Sequence, residues 1–293
     1  MTGAEKGLLM LCCQLGDVSV KTMTFRQFYG LRKRMESLDC PADKELTESD
    51  LRAIGLPAEL ATQILRMLDR ERELEAYLLR AARYGIYPIT RIHPDYPRVL
   101  EQKLKSTAPA VLFCKGDVRL LNLPCVSLVG SRKIHEPNRR FARRVGELAA
   151  EEGYCLVSGG ASGADREAQE ACLQNGGRVL VFTPDRLDKQ PEKENVLYCS
   201  ESGWELGFSA QRALGRNRLI HAMGEKTFVA QCNAGHGGSW RGAEENLKNG
   251  YSRLFVFWDE SEGAAGLLQS GAIEVTELTS IRNLKTGQES FFE

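Results

Sequence analysis

The sequence has no excess of either charge. Lys and Arg together number 39 among the 293 residues, and Asp and Glu together also number 39. A chain without net charge is not attracted as a whole to nucleic acid or to an anionic membrane. Any site for an anion must therefore come from local clustering of basic side chains.

Residues at metal-site or redox-site spacing are also missing. The nine cysteines form no Cys-x-x-Cys motif, and the four histidines show no metal-ligand spacing. Cysteines inside apolar runs, such as Cys125 and Cys155, are typical of reduced, buried thiols in a cytoplasmic protein. No Ser, His and Asp set suggests a nucleophile. We therefore expect no metal, no cofactor and no catalytic residue.

Long hydrophobic runs are absent as well. The first 20 residues, "MTGAEKGLLMLCCQLGDVSV", contain an apolar core too short to cross a membrane and lack the basic flank of a signal peptide. We expect this segment to be a first helix, and the protein to be cytoplasmic without membrane association.

Residues 1–84 have the pattern of a helical N-terminal domain. Apolar residues recur at helical spacing, and Gly85 follows as a stop signal. Within it, "AIGLPAELATQIL" (53–65) predicts two helices joined by a Gly-Leu-Pro turn, as in helix-hairpin-helix or SAM-like domains. Such a turn either presents amides to a DNA phosphate or simply packs a small bundle, and both interpretations stay open.

Beyond residue 85 the pattern predicts a sheet. Residues 86–109 suggest an irregular connector that ends in a strand at 110–114. Further predicted strands are 125–129, 154–157, 178–182, 226–231 and 253–257. The first four of these five are followed by a turn and a helix-like segment. Apolar strands alternating with helices indicate an α/β fold whose parallel sheet is covered on both faces.

The glycine-rich segment "SGGASGAD" (158–165) lies between a strand and a helix, where loops often bind phosphate. It does not match G-x-G-x-x-G or a P-loop, and no acid ends the next strand to hold a ribose. Asp165 near the helix start would repel an anion on the helix axis. A phosphate-binding loop and a structural tight turn are both consistent with the segment.

Basic side chains follow the other predicted turns. Arg132 comes directly after a strand and a Gly-Ser turn, so its guanidinium can reach a phosphate. The helix that follows carries further arginines, and one of them, Arg143, can pair with Glu147. The segment "GRNR" (215–218) suggests another helix, which starts at Asn217. Parallel strands end at one edge of the sheet, so these segments and "NAGHGGSWRG" (233–242) should meet there. In that last loop Trp240 either stacks on a base or plugs the loop.

Taken together, these motifs resemble the DNA-processing protein A (DprA/Smf) family. The resemblance covers about two thirds of the chain in the family's order. It is carried by "YPRVL" (96–100), "PAVLFCKGD" (109–117), "VSLVGSR" (126–132), "LVSGGASGAD" (156–165), "NGGRVLVF" (175–182), "GRNRLIHAMG" (215–224) and "GAIEV" (271–275).

The resemblance implies an extended Rossmann-like domain over residues 85–285, with a doubly wound, mostly parallel sheet, followed by a tail at 286–293. It also implies a non-enzymatic protein that binds single-stranded DNA in a basic pocket. Such a protein serves recombination or natural transformation, assists a RecA-type recombinase and forms a homodimer. The stretch after "GAIEV" is too short for the C-terminal winged helix of many members, so we expect that domain to be absent.

The same resemblance implies site residues. Arg132 would hold a backbone phosphate, and Lys193 in "QPEKENVLY" loosely matches a lysine of the family. The other pocket residues would be Gly130, Ser131, Ser158, Gly159, Gly160, Gly163, Arg216, Asn217, Arg218, Gly238 and Ser239. The chain departs from the family pattern at Ala164, Gln169 and Gly242, and no Phe-Pro precedes its arginines.

Two other functions fit parts of the sequence. Gly237, Gly238 and Glu244 match the spacing of the G-G-x-G-T-x-x-E signature in nucleotide phosphoribohydrolases of the lysine-decarboxylase-like type. A small-nucleotide sensor or enzyme is therefore the main alternative, with Glu244 as a carboxylate at a helix start. In the weakest alternative the pocket is vestigial, and "YSRLFVFWDE" (251–260) is a dimer contact rather than a buried strand.

Overall fold

The computed structural model of the chain describes residues 1–36 and 46–284. The predicted tail at 286–293, and residue 285 of the predicted sheet domain, lie outside the described residues. Short helices come first, as the periodicity predicts. They are α1 (Gly3–Cys12), α2 (Phe25–Met35), α3 (Glu48–Ala53), α4 (Ala58–Leu68) and α5 (Glu71–Ala82).

Local sequence signals explain where these helices begin and turn. Thr2, Thr24 and Thr47 each cap a helix and form a capping box with the residue three positions later. Between α3 and α4 the chain turns at Gly55, whose φ of 83° suits a residue without a side chain. A contact of this turn with DNA stays a prediction.

The described residues contain one sheet of nine strands in the order β1-β2-β6-β5-β4-β3-β7-β8-β9. Strand β2 pairs antiparallel with β1 and β6, and every other pair is parallel. The strands are β1 (Ile86–Thr90), β2 (Val111–Lys115), β3 (Cys125–Val129), β4 (Cys155–Ser158), β5 (Arg178–Phe182), β6 (Val196–Ser200), β7 (Lys226–Val229), β8 (Arg253–Phe257) and β9 (Ile273–Val275).

Both faces of the sheet are covered. One apolar core lies between one face of the sheet and helices α1 to α5, α7 and α8. A second core lies between the other face of the sheet and helices α6 and α10 to α12. The fold class, a doubly wound, mostly parallel Rossmann-like sheet, is therefore confirmed. The remaining helices are α6 (Arg98–Leu104), α7 (Glu136–Glu151), α8 (Ala164–Gln174), α9 (Ala210–Gly215), α10 (Asn217–Met223), α11 (Gly238–Asn249) and α12 (Glu262–Gln269).

The structure corrects or decides several details of the sequence prediction. The predicted connector at 86–109 contains β1 and α6, where Pro88 is tolerated because β1 is an edge strand. No α-helix follows β5: the described segment to β6 contains only a 3₁₀ turn, Leu187–Lys189. The aromatic run at 251–260 includes the interior strand β8, where Phe255 is buried against Phe228, so it is a buried strand.

The N-terminal helices pack directly on the sheet. The Tyr77 ring of α5 lies 5.8 Å from the Phe113 ring of β2 and 5.6 Å from the Trp204 ring. Buried Glu5 of α1 accepts a hydrogen bond from the Thr90 hydroxyl of β1 at 3.2 Å. The helices and strands therefore share side-chain contacts rather than only a linker.

The eight cysteines in residues 1–36 and 46–284 are free thiols. None of the helices in this part of the chain combines the length and apolar character needed to cross a membrane.

Candidate nucleic-acid interface

The candidate site lies where the strand order reverses. From β3 the chain adds β4, β5 and β6 on one side and β7, β8 and β9 on the other. Ligands of open α/β sheets bind outside the carboxyl ends of the strands at such a point. A cavity of about 1020 Å³ opens here. Of the predicted site residues, those that line it are Gly130, Ser131, Arg132, Arg216, Asn217, Gly238 and Ser239.

Basic groups dominate the cavity wall. Among the described lining residues the cations are Arg132, Lys133, Arg216 and Arg241, and the single acid is Asp165. Arg132 is exposed, and its guanidinium carbon lies 5.9 Å from the centre of the Phe208 ring. Within the described chain it has no ion-pair partner. Its charge is therefore available to an anionic ligand.

The glycine-rich loop is built around its own carboxylate. Buried Asp165 accepts hydrogen bonds from the amides of Gly159 at 3.0 Å and Ala161 at 3.3 Å. Burial raises the pKa of this carboxyl, while nearby Arg216 and the two amides act in the opposite direction. The amides that would cradle a phosphate in a nucleotide-binding loop are thus already occupied.

Four predicted residues of the glycine-rich loop lie outside the cavity. Ser158, Gly159, Gly160 and Gly163 do not line the cavity, which the loop reaches at Ala161 and Asp165 instead. Ser158 is buried, and its hydroxyl accepts a hydrogen bond from the Gln169 amide. Gly163 packs against the carbonyl groups of Ser131 and Arg132. Gly163 therefore supports the Arg132 turn, whereas Gly159 packs on Arg216 and Gly160 is exposed beside Val181.

Arg216 holds the loop from the other side. Its guanidinium packs so closely on Gly159 that a Cβ there would lie 2.2 Å from Nη1. It donates hydrogen bonds to the carbonyl of Phe182 and, at 3.3 Å from Nε, to that of Ala213. Burial lowers the pKa of Arg216, whereas the negative charge of neighbouring Asp165 raises it. An arginine stays protonated even so, and this one supplies a fixed positive charge under the cavity floor.

The start of α11 forms the opposite wall. Gly237 precedes the helix with a φ of 89°, and the first turn contains no acid. The first amides of a helix have no partner within it, and the helix dipole adds partial positive charge there. The Asn217 side chain fixes this end by donating to the Gly238 carbonyl at 3.0 Å. Anions are therefore favoured at Gly238 and Ser239.

Trp240 plugs the loop and does not stack on a base. Its indole is buried, and its Cη2 lies 2.6 Å from where a Cβ of Gly266 in α12 would be. The indole thus belongs to the core between α11 and α12.

Two predicted site residues lie away from the cavity. Arg218 pairs with Glu201 and donates to the Thr107 carbonyl at 3.0 Å. Successive residues of a helix point about 100° apart, so Arg218 cannot share the direction of Asn217. Lys193 precedes β6 and therefore lies at the amino edge of the sheet, opposite the cavity, beside Tyr87. The structure therefore does not bring Arg218 and Lys193 together with the cavity residues, and a contact of either with DNA stays a prediction.

The arginines of α7 form a paired, solvated face. Arg139 and Arg143 contact Glu167 at 3.2 and 3.5 Å. It is Arg144, not Arg143 as predicted, that pairs with Glu147, at 3.2 Å. Exposed pairs of this kind contribute little to stability, and they satisfy the charges locally.

Sequence reasoning missed several lining residues. Phe208 has 55% of its surface exposed beside Arg132, and no spacing rule links these two positions. Lys133 directly follows "GSR", and Arg241 lies within "NAGHGGSWRG". Their positions in these motifs could have identified them as lining residues.

His221 is an unpaired imidazole in the cavity wall. It is 1% exposed, and neither ring nitrogen has a partner within the described residues. Its Nε2 lies 2.9 Å from where a Cβ of Gly242 would be, so the ring fills the space that a threonine at 242 would need. The departure from the family pattern at Gly242 thus has a steric explanation. Burial lowers the pKa of His221 to about 3.

This pKa predicts an acid-dependent loss of stability. Between the ordinary value of 6.5 and about 3, the unfolded chain binds a proton at His221 that the folded chain does not. Stability should therefore fall as the pH drops through this window, by up to about 1.4 kcal/mol per pH unit from this group. Urea unfolding at several pH values should show a shallower fall for His221→Leu, whereas replacing exposed His236 should not change it. Equal slopes in all three proteins would contradict the assignment.

Comparison with known proteins identifies the family of this chain. The model of the family "DNA recombination-mediator protein A" matches residues 88–285. The DNA processing protein DprA of Streptococcus pneumoniae is 38% identical over 188 residues, which are 58% of this chain and 64% of that protein. Protein Smf of Synechocystis is 33% identical over 157 residues, 49% of this chain and 39% of that protein. The chain thus spans less than two thirds of the length of either relative.

Two solved structures share the fold. The X-ray structure of DNA processing protein A from Streptococcus pneumoniae aligns with a TM-score of 0.71 and 25% identity over 94% of this chain and 95% of that one. The protein from Helicobacter pylori, described as having a unique single-stranded DNA binding mode, aligns with a TM-score of 0.57 and 27% identity over 66% of this chain and 92% of that one. Because the family model spans more than half of its length, this chain belongs to the DNA recombination-mediator protein A family.

Proposed function

We propose that the chain binds single-stranded DNA in the cavity at the carboxyl ends of β3 and β7, without catalysing a reaction. The observation that carries the proposal is the convergence of unpaired Arg132 and the acid-free start of α11 on one cavity. Backbone phosphates fit between them, because a guanidinium and free helix amides are both strong phosphate donors. The single-stranded DNA binding of the Helicobacter pylori relative supports this choice of ligand.

Phe208 gives the cavity a preference for single strands. Its ring is exposed beside the Arg132 guanidinium. Bases of a single strand can stack on such a ring, whereas bases in a duplex are already stacked on each other. The ring and the guanidinium together can hold a base and its neighbouring phosphate.

The proposed biological role is in DNA recombination or uptake. It includes delivery of the bound strand to a RecA-type recombinase, action as a homodimer and residence in the cytoplasm. The family assignment supports the recombination role, and eight free thiols suit a reducing compartment. Light scattering tests the dimer, and the rate of recombinase filament formation on coated single strands tests the delivery.

Arg132→Ala tests the site itself. We expect single-stranded DNA to bind about 10- to 100-fold more weakly, because a hydrogen-bonded contact to a charged group contributes about 1.5–3 kcal/mol. The loss should be similar for all sequences, and the dependence of log affinity on log salt should become shallower by about 0.7. Fluorescence anisotropy at several salt concentrations measures both quantities.

Arg139→Ala is the matched control, since Arg139 is also an exposed arginine but is paired with Glu167. It should bind nearly as well as the unchanged protein. Normal affinity of Arg132→Ala would contradict the site. Release of free base from a nucleoside monophosphate would instead favour the phosphoribohydrolase alternative. Nothing in the described site supports that outcome, because Glu244 is exposed on α11 and does not line the cavity.

A further inference from the structure

We propose that helix α2 is a second contact surface for the same single-stranded DNA. This inference rests on the proposed function of the cavity. The surface, called here the α2 face, consists of the exposed side chains of Arg26, Tyr29, Arg32 and Lys33 around Gly30. It belongs to the N-terminal helices, and the cavity is built from other segments.

The charge of this segment is one-sided. Residues 18–35, which lie between Asp17 and Glu36, contain five basic residues and no acidic one. Within the described residues, Arg26, Arg32 and Lys33 have no ion-pair partner. The α7 arginines show the contrasting pattern, since each meets a glutamate. A helix surface whose cations are left unpaired is suited to a polyanion.

Helix geometry places most of these groups on one side, and Arg32 lies at its edge, toward buried Phe28. Positions 26, 29, 30 and 33 follow the i, i+3, i+4, i+7 spacing of a single helix stripe. Phe28 and Leu31 are buried on the opposite side, where they join the core of the N-terminal helices. The packing of Phe28 and Leu31 therefore fixes the rotation of α2 and keeps the α2 face exposed to solvent.

Tyr29 lies at the centre of the stripe and is 48% exposed. One neighbour is the Phe25 ring, stacked at a centroid distance of 6.2 Å and an interplanar angle of 24°. The Lys33 ammonium lies 5.2 Å from the Tyr29 ring centre. An exposed ring flanked by cations is the arrangement that binds single-stranded nucleic acid, the ring stacking on a base and the cations on phosphates.

Gly30 leaves open space beside the ring. A Cβ built at Gly30 would meet nothing within 4 Å, so the fold itself does not require glycine there. Glycine inside a helix is about 1 kcal/mol less favourable than alanine. A ligand that approaches the backbone next to Tyr29 would account for it.

The α2 face and the cavity are linked through one short segment. Helix α2 packs against the 3₁₀ turn Lys105–Thr107. The Thr107 carbonyl accepts a hydrogen bond from Arg218, the residue after cavity residue Asn217. Exposed Lys105 adds a cation to this turn. The turn at Lys105–Thr107 thus contacts both α2 and the helix that carries Asn217, and in our proposal the strand passes over this turn.

Strand length separates the two surfaces experimentally. An oligonucleotide of about six nucleotides fills one small site, and one of about thirty can reach both. We expect Arg26→Glu/Lys33→Glu to weaken binding of the long strand about tenfold and to make its salt dependence shallower by about 1.4, from two lost phosphate contacts. Binding of the short strand should not change. Arg132→Ala should weaken both.

A second pair of variants tests the ring. Tyr29→Ala should weaken binding of the long strand about tenfold, because stacking contributes about 1–3 kcal/mol per base. Tyr29→Phe should bind normally, and neither variant should change binding to duplex DNA. Arg178→Glu/Arg253→Glu is the matched control for charge, with both exposed arginines at the amino edge of the sheet. Arg26→Ala/Lys33→Ala repeats the charge test without introducing acidic residues, and alanine preserves the helix.

The outcomes are distinguishable. If the α2 variants bind long strands normally while Arg132→Ala does not, the second surface is wrong and the cavity proposal stands. Equal weakening of short and long strands by the α2 variants would also overturn it, because the effect would then lie in the cavity. If Arg132→Ala binds normally and the α2 variants do not, the cavity proposal fails instead.

Discussion

Replacing Asp165 by alanine is expected to lower the free energy of unfolding by about 3–5 kcal/mol, since that is the usual cost of removing one partner from a buried charged cluster. The carboxylate accepts the amides of Gly159 and Ala161 and lies near buried Arg216. Without it, two amides lose their acceptor and a buried cation loses its countercharge. Urea unfolding followed by circular dichroism measures the difference.

Two further variants sharpen this expectation. Asp165→Asn keeps an oxygen acceptor but not the charge, so it should lie between the alanine variant and the unchanged protein. Glu170→Ala removes an exposed acid of the same helix, whose ion-pair partner among the described residues is exposed Arg166. It should change the free energy of unfolding by less than about 1 kcal/mol. A small effect of Asp165→Ala would show that the loop does not depend on its internal carboxylate.

Gly163→Ala is expected to destabilise the protein by about 3 kcal/mol and to weaken binding of single-stranded DNA. Gly163 has a φ of 80° and a ψ of −128°, a region that other residues occupy only under strain of about 1–3 kcal/mol. Its Cβ would also lie 2.4 Å from the carbonyl oxygens of Ser131 and Arg132. The turn that aims Arg132 into the cavity must therefore move.

Gly176→Ala is the control for strain alone. Gly176 also has a positive φ, 72°, but a Cβ there would meet nothing within 4 Å. The Gly176→Ala substitution should lower the free energy of unfolding by about 1–2 kcal/mol and leave DNA binding unchanged. If Gly163→Ala behaved like this control in both assays, the contact between the glycine loop and the Arg132 turn would not position the arginine.

The sheet was largely predictable because its interior strands are buried on both faces. Continuous apolar runs identified β3, β5 and β8 with their observed bounds. Edge positions gave weaker signals: β1 contains Pro88, and β9 has only three residues, Ile273–Val275. Strand β6 was missed because polar, proline-containing "QPEKEN" precedes it, and its partner β2 is distant in sequence.

For the site, the sequence predicted which residues lie at the carboxyl ends of the strands, but not how their side chains are oriented. Arg132 and Gly238 follow parallel strands, so the topology alone brings them to one edge. Side-chain direction and partner choice were not predictable. Arg218 turns to Glu201 and Thr107, which are far from it in sequence, and Asp165 turns back to the amides of its own loop.

The packing of Tyr77 on Phe113 and Trp204 has a consequence for how the chain can be divided. A fragment starting at residue 85 would uncover Phe113 and the other apolar side chains that α1 to α5 now cover. The N-terminal helices are therefore not an interchangeable module. Grafting them from one relative to another requires transferring their contact residues in the sheet as well, so in this chain the two parts have to be engineered as one unit.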